Sequence, residues 1–350
     1  MIKIDIDAKT KKDIEKTYLE DAHSARTGLF QMLSRPDVKT KLQKDHTAIY
    51  NILYHSMTGN LEEKEVEKLL LADQKELRNY ISKFGSYAGS TIKSDYLLNS
   101  VFKYKNFANR KIAYHISSKR NVTVCPYCNR QYIFTVIPSK GRVRPQFDHY
   151  FPKKEYPFLA LSLYNMIPSC SICNMAKSSL DTHKYPILYP FDEEMGYSAK
   201  FEFRIKEKGN FVQVLQGLSD QFEIHLDSTQ AAKTAEIQRQ MEELHLDALY
   251  NEHTDYVKDI IRSKYINTPN RIREIQRSFP QLFHSCDEVK NMRYMADLRK
   301  GYWEKDPYPS SRMILISSWK TVPFIMLRER HSIYQEKRIS ASPSPNLPSA

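Results

Sequence analysis

Glycine is scarce, 9 among 350 residues, which argues against a β-sandwich or barrel, whose many tight turns need residues free to take positive φ. Helices are favoured instead. No apolar run approaches the ~18 residues or more of a membrane span, so no membrane partner is expected. The opening MIKIDIDAKTKKD lacks the apolar core of a secretory signal, and the expected compartment is therefore a reducing cytoplasm. The chain also has no Gly-x-x-x-x-Gly-Lys-[Ser/Thr] string and thus no recognisable P-loop. Any step driven by nucleotide must draw on another chain. No internal repeat is visible.

What is present starts with cysteine. Four of the five fall in two Cys-x-x-Cys pairs, Cys125/Cys128 and Cys170/Cys173, with 41 residues between the pairs. Four thiolates in two short chelating loops can meet at one tetrahedral Zn²⁺, and neither pair completes it alone. Disulfides are disfavoured in a reducing compartment, and a redox pair is the reading for a single Cys-x-x-Cys rather than two at finger-like spacing. Cys286 stands alone, and packing is its expected role.

Between the pairs run Arg144-Pro-Gln-Phe-Asp-His-Tyr-Phe-Pro, then Leu159 to Asn165, then Ile167-Pro-Ser-Cys-Ser-Ile-Cys-Asn-Met-Ala-Lys. This order of cysteines, acid, histidine and asparagines resembles the signature of the HNH endonucleases, over about residues 124 to 179. The nearer resemblance is to the branch with a four-cysteine zinc staple, the phage endonuclease VII type, whose third motif position is asparagine. The resemblance implies a ββα-metal finger, with a first strand ending near His149, a second before Asn165 and a helix from about Ser171. It further implies that Asp148 and Asn174 hold a catalytic Mg²⁺ or Mn²⁺, that His149 is the general base, and that Asn165 tethers the loop and orients the His149 ring. The position two after the base, which often carries a further polar residue, is Phe151 here. A weaker resemblance, resting on the same finger, is to HNH proteins of bacterial anti-phage systems such as the Septu nuclease subunit, which partners an ATPase.

The chemistry asks for such a set independently. Phosphodiester hydrolysis needs a deprotonated water, a Lewis acid on the phosphate and neutralisation of developing charge. Histidine suits the first need, and hard oxygen ligands suit the second. Lys177 shares a helix face with Asn174, and its ammonium is expected on the same phosphate. His183 is left outside the catalytic set. Taken alone, Asp148-His149 would read as a strand-end turn; the surrounding pattern is what makes it a site.

Charge supports a polyanionic partner. Of the formal +12, the stretch 101 to 190 carries +11, with 14 basic residues against the three acids Asp148, Glu155 and Asp181. Such a field suits phosphate, with Arg142, Arg144, Lys153 and Lys154 as the expected contacts; DNA is the expected partner ahead of RNA, a choice that charge does not make.

The fold expected is α+β: a mainly helical protein with a central zinc-stapled finger and a small antiparallel β meander. The expected domains are a helical region 1–118, the finger 119–190, a meander 191–228, a helical region 229–339 and a disordered tail 340–350. Val66, Leu69, Leu70, Leu77, Tyr80, Ile81 and Phe84 recur at helical spacing, with Asn60 and Glu63 as a capping pattern. The meander is read from Phe201-Glu-Phe-Arg-Ile, Phe211-Val-Gln-Val-Leu and Phe222-Glu-Ile-His-Leu, with a hairpin at Gly209-Asn210. The expected function is a metal-dependent DNA endonuclease acting in anti-phage defence beside an ATPase. Its rivals are a non-catalytic zinc-stapled nucleic-acid-binding or assembly protein, and an RNase of the same fold.

Overall fold

The computed structural model describes residues 1–25, 28–139, 141–195, 199–206, 209–228 and 233–294. The tail 340–350 and much of the region 229–339 lie outside these described residues. In chain order the helices before the cysteines are α1 (Ala8–Ala22), α2 (Leu29–Leu33), α3 (Pro36–Asp45), α4 (Thr47–Leu53), α5 (Glu63–Leu71), α6 (Gln74–Phe84), α7 (Thr91–Tyr96), α8 (Tyr104–Asn109) and α9 (Lys111–Arg120). Then come β1 (Gln146–His149), β2 (Met166–Ser169), α10 (Ser171–Lys177), β3 (Ala199–Ile205), α11 (Phe211–Leu215) and β4 (Phe222–Ser228). The last helices are α12 (Thr234–Glu243), α13 (Leu246–Asn251), α14 (Thr254–Ile266), α15 (Pro269–Ser278) and α16 (Cys286–Tyr294). The protein is thus α+β and mainly helical, with two two-stranded sheets among the described residues, β1–β2 and β3–β4.

Local chemistry fixes the helix ends. Asp7 caps α1 by accepting from the backbone of Lys9 and Thr10 at 3.0 and 2.9 Å, which satisfies donors that a helix start leaves open. The periodic run from Val66 to Phe84 divides at Asp73, which forms a capping box with Glu76. Val66, Leu69, Leu70, Leu77, Tyr80, Ile81 and Phe84 are all buried. The cap expected at Asn60 does not form: Glu62 precedes α5 and makes no side-chain cap bond.

Two compact units divide the chain. One comprises Met1–Ala199 with Ser228–Glu252; the other comprises Lys200–Asp227 with the described part of His253–Leu298. In the first unit the helices before residue 121 wrap the segment between β1 and β2. Ser162 Oγ donates to the Leu69 carbonyl at 2.8 Å, Ser94 Oγ to the Lys154 carbonyl at 2.6 Å, and Tyr87 N–H to the Glu155 carbonyl at 2.8 Å. Phe151, Phe158, Leu159 and Leu163 are almost wholly buried there, each worth about 1.5–3 kcal/mol of apolar burial. The loop behind the candidate site is therefore part of the core.

The second unit holds the sheet β3–β4 and differs from the expected meander. The middle run, Phe211–Leu215, is α11 rather than a strand, because Asn210 serves as its N-cap and accepts from Gln213 N–H at 3.2 Å. Ile272, Ile275 and Val289 form a small core in this unit, with Cys286 packed against it.

Candidate functional site

Both cysteine loops are shaped by backbone bonds. In the first, Cys125 N–H donates to the Gln131 carbonyl at 2.9 Å and Asn129 N–H to the Cys125 carbonyl at 2.8 Å, with Asn129 in the left-handed region at φ 48°. In the second, Cys170 caps α10 by accepting from Cys173 N–H at 3.4 Å, and the Cys170 N–H donates to Cys125 Sγ at 3.4 Å. All four thiols are buried and their sulfurs lie within 4.8 Å of one another. That spacing suits a tetrahedral zinc, whose ~2.3 Å bonds set the sulfurs about 3.8 Å apart. Burial pushes the Cys125 thiol up, whereas the sulfur hydrogen bond from Cys125, followed by those from Cys128 and Cys173, holds Cys170 down. Later helices brace the first loop: Gln240 of α12 donates to the Tyr127 carbonyl at 3.2 Å, and the Tyr250 hydroxyl of α13 donates to the Cys128 carbonyl.

β1 and β2 pair antiparallel, with Asp148 opposite Ile167 and His149 opposite Met166. The second strand follows Asn165 instead of preceding it. Residues Pro157–Leu159 and Leu163–Asn165 form 3₁₀ turns, so the apolar residues there fill the core as irregular chain.

Asp148 and His149 are 3% and 4% exposed. The Tyr127 hydroxyl, inside the first Cys-x-x-Cys loop, donates to Asp148 Oδ2 at 2.7 Å. Lys177, on the last turn of α10, places its ammonium 3.2 Å from Asp148 Oδ1 and 3.1 Å from Oδ2, and donates to the His149 carbonyl at 2.7 Å. This ammonium, expected on a phosphate, is buried and committed to β1. A buried carboxylate needs such compensation, because an unpaired charge in this environment is costly.

His149 is held in one orientation. Its Nε2 lies 3.0 Å from the Ala160 carbonyl, which can only accept, so Nε2 carries the proton. Burial lowers the ring's pKa to about 3, with Lys153 adding to the effect, and the imidazole is neutral. Nδ1 therefore presents a lone pair, and it has no hydrogen-bond partner. The Tyr104 ring meets the imidazole edge-on, centroids 4.4 Å apart, and the Lys153 ammonium lies over Tyr104 at 5.2 Å.

Asn165 accepts from Phe151 N–H at 2.8 Å and donates to the carbonyls of Phe151 and Leu159 at 3.1 Å each. It ties the loop that supplies Ala160. Orientation of the ring belongs to the Ala160 carbonyl and Tyr104, with no hydrogen bond from Asn165 to His149. Arg120, fully buried, donates to the carbonyls of Met166 and Leu163 at 2.7 and 2.8 Å on either side.

Asn174 donates to Gln146 Oε1 at 2.7 Å, and Gln146 shares a strand face with Asp148. Of the expected nucleic-acid contacts, Arg142 and Lys154 are exposed and Lys153 is half-buried. Arg144 is spent on structure: it donates to the Ala108 and Pro145 carbonyls at 2.8 and 2.6 Å and stacks on Phe147 at 4.5 Å. Sequence reasoning missed Tyr104, Arg120, Tyr127, Gln240 and Tyr250. Tyr127 was the findable one, lying inside a chelating loop. The others act through long-range contacts that leave no local pattern.

Comparison with known proteins adds one distant likeness. Over 145 residues the chain is 26% identical to the Septu protein PtuB of Bacillus thuringiensis, covering 41% of this chain and 46% of that protein. The chain thus spans less than half the length of this curated relative. No family model matches. No solved structure matches either. Among the described residues, no helix is long and apolar enough to cross a membrane.

Proposed function

We propose that this chain is a metal-dependent HNH-type endonuclease, cutting DNA in anti-phage defence beside a partner that supplies ATP hydrolysis. The observation that carries the reading is His149: its tautomer is fixed through Nε2, and its Nδ1 lone pair is left unpartnered on the residue that follows the buried Asp148 in β1. Most buried polar atoms are hydrogen-bonded, but His46 Nε2 is unpartnered too, so His149 carries the reading through its place in the Asp-His string between the cysteine pairs. The likeness to PtuB supports the defence context; where cutting is gated by nucleotide, this sequence, which has no recognisable P-loop, would take the hydrolysis from another chain.

In this reading Nδ1 takes a proton from the attacking water as its oxygen bonds to phosphorus. The bond from phosphorus to the 3′ oxygen breaks, and that oxygen is protonated from solvent. The Ala160 carbonyl keeps the ring from rotating and stabilises the imidazolium that forms. Asp148 and the amide oxygen of Asn174 are hard donors of the kind a Mg²⁺ or Mn²⁺ ion takes, and they are the residues that would hold it. Such an ion supplies Lewis-acid charge at the phosphate. Lys177 and Tyr127 hold the carboxylate in place.

The buried Asp148–Lys177 pair also suits a zinc-stapled binding module that does not cut. Incubating the purified chain with plasmid, single-stranded DNA and RNA, with Mg²⁺, Mn²⁺ or chelator, separates the readings. Cation-dependent cutting of DNA supports the nuclease; cutting of RNA alone moves it to the ribonuclease reading; binding without cutting supports the module.

A further inference from the structure

The chain leaving the first cysteine loop presents a face that the candidate site does not use. From 131 to 136 the side chains alternate. Ile133 is buried and Thr135 Oγ1 lies 2.7 Å from Ser117 Oγ on α9, whereas Tyr132, Phe134 and Val136 point outward, 44%, 51% and 50% exposed. Alternation is what extended chain gives, but the outward set of a surface strand is normally polar. Here it is aromatic and aliphatic. The rings of Tyr132 and Phe134 stack on each other, centroids 5.0 Å apart and 17° between planes.

The backbone beneath is anchored. Ile133 N–H donates to the Thr123 carbonyl at 2.9 Å, and Val136 and Val143 exchange bonds of 2.9 and 3.0 Å, so the chain returns on itself. The arm is thus rooted in the zinc loop at one end and runs at the other into β1, which carries Asp148 and His149. Between 130 and 144 the sequence has four cations, Arg130, Lys140, Arg142 and Arg144, and no carboxylate; Arg142 is exposed, Arg144 adds charge while bonded to the Ala108 and Pro145 carbonyls, and Lys140 lies outside the described residues.

We propose that this arm is a stacking platform for unpaired bases, so that the substrate is a nucleic-acid strand with exposed bases rather than an intact duplex. The charge selects a polyanion. The ring pair selects flat apolar faces, which a single strand offers and a duplex keeps inside its stack. The proposal rests on the nuclease reading and names the substrate class that reading leaves open.

The test uses the full chain carrying His149→Ala, so that bound DNA is not cut, and measures fluorescence anisotropy with a single-stranded oligonucleotide and a blunt duplex of equal length. The parent should prefer the single strand. Tyr132→Leu with Phe134→Leu retains apolar area but removes the rings, and should lower single-strand affinity at least tenfold while changing duplex affinity less than twofold. Tyr132→Phe should bind as the parent does. Zinc content and melting temperature check the fold; if the leucine pair fails that check, Phe134→Leu alone is read by the same criterion. Unchanged single-strand affinity, or equal loss on both DNAs, overturns the proposal. A chain that binds no strand but loses a protein partner on leucine substitution assigns the face to protein docking, which also overturns it. Single-strand selectivity together with no cutting by the chain that retains His149 would keep the platform and sink the nuclease. Cutting that is indifferent to the rings would do the reverse.

Discussion

At Asp148 one carboxylate gathers a hydroxyl from the zinc loop and an ammonium from the end of α10. Lys177→Met removes the only buried cation bonded to it among the described residues, leaving an uncompensated charge. The expected loss of folding stability is about 3–5 kcal/mol, read from denaturant midpoints. A normal midpoint with weakened DNA binding would instead return Lys177 to the phosphate. Tyr127→Phe takes away a single hydroxyl and should cost about 1–3 kcal/mol while zinc stays bound; a loss of zinc would show that Tyr127 shapes the chelate rather than the carboxylate. That a strand ends at His149 was legible because it rests on local order. The burial of Lys177 was not, since helical spacing gives a shared face but not what that face packs against.

Among the elements, the four-cysteine cluster does for this region what a larger apolar core would do elsewhere. It joins the first loop, which carries Tyr127, to the N-terminus of α10, which carries Lys177, and both reach Asp148. The purified protein should hold about one zinc per chain. Cys170→Ser should lose that zinc and lower the melting temperature sharply, because structural zinc contributes folding energy directly. A soluble, normally melting serine variant without metal would remove the staple from this account. Cysteine spacing and the periodicity of α5 and α6 could be read from the sequence. The placement of β2 and the helix at 211–215 could not. A short apolar run fits strand or helix equally, and Asn210 decided the second case by capping. β2 was displaced because the preceding apolar residues satisfy the core as turns.

For the whole molecule the governing quantity is charge, since +11 of the +12 lies in residues 101 to 190. Binding to DNA should therefore weaken steeply with salt through counterion release. Arg142→Ala should reduce affinity to a similar degree for unrelated sequences, as a phosphate contact does; a sequence-selective loss in anisotropy titrations would make it a base reader. The measurement that tests the central claim most directly is DNA cleavage by His149→Ala. The account predicts a folded protein that keeps its zinc, binds DNA as the parent does, and cuts more slowly by a factor on the order of 10² or more, with added Mn²⁺ giving no rescue. A variant that cuts as fast as the parent would contradict it.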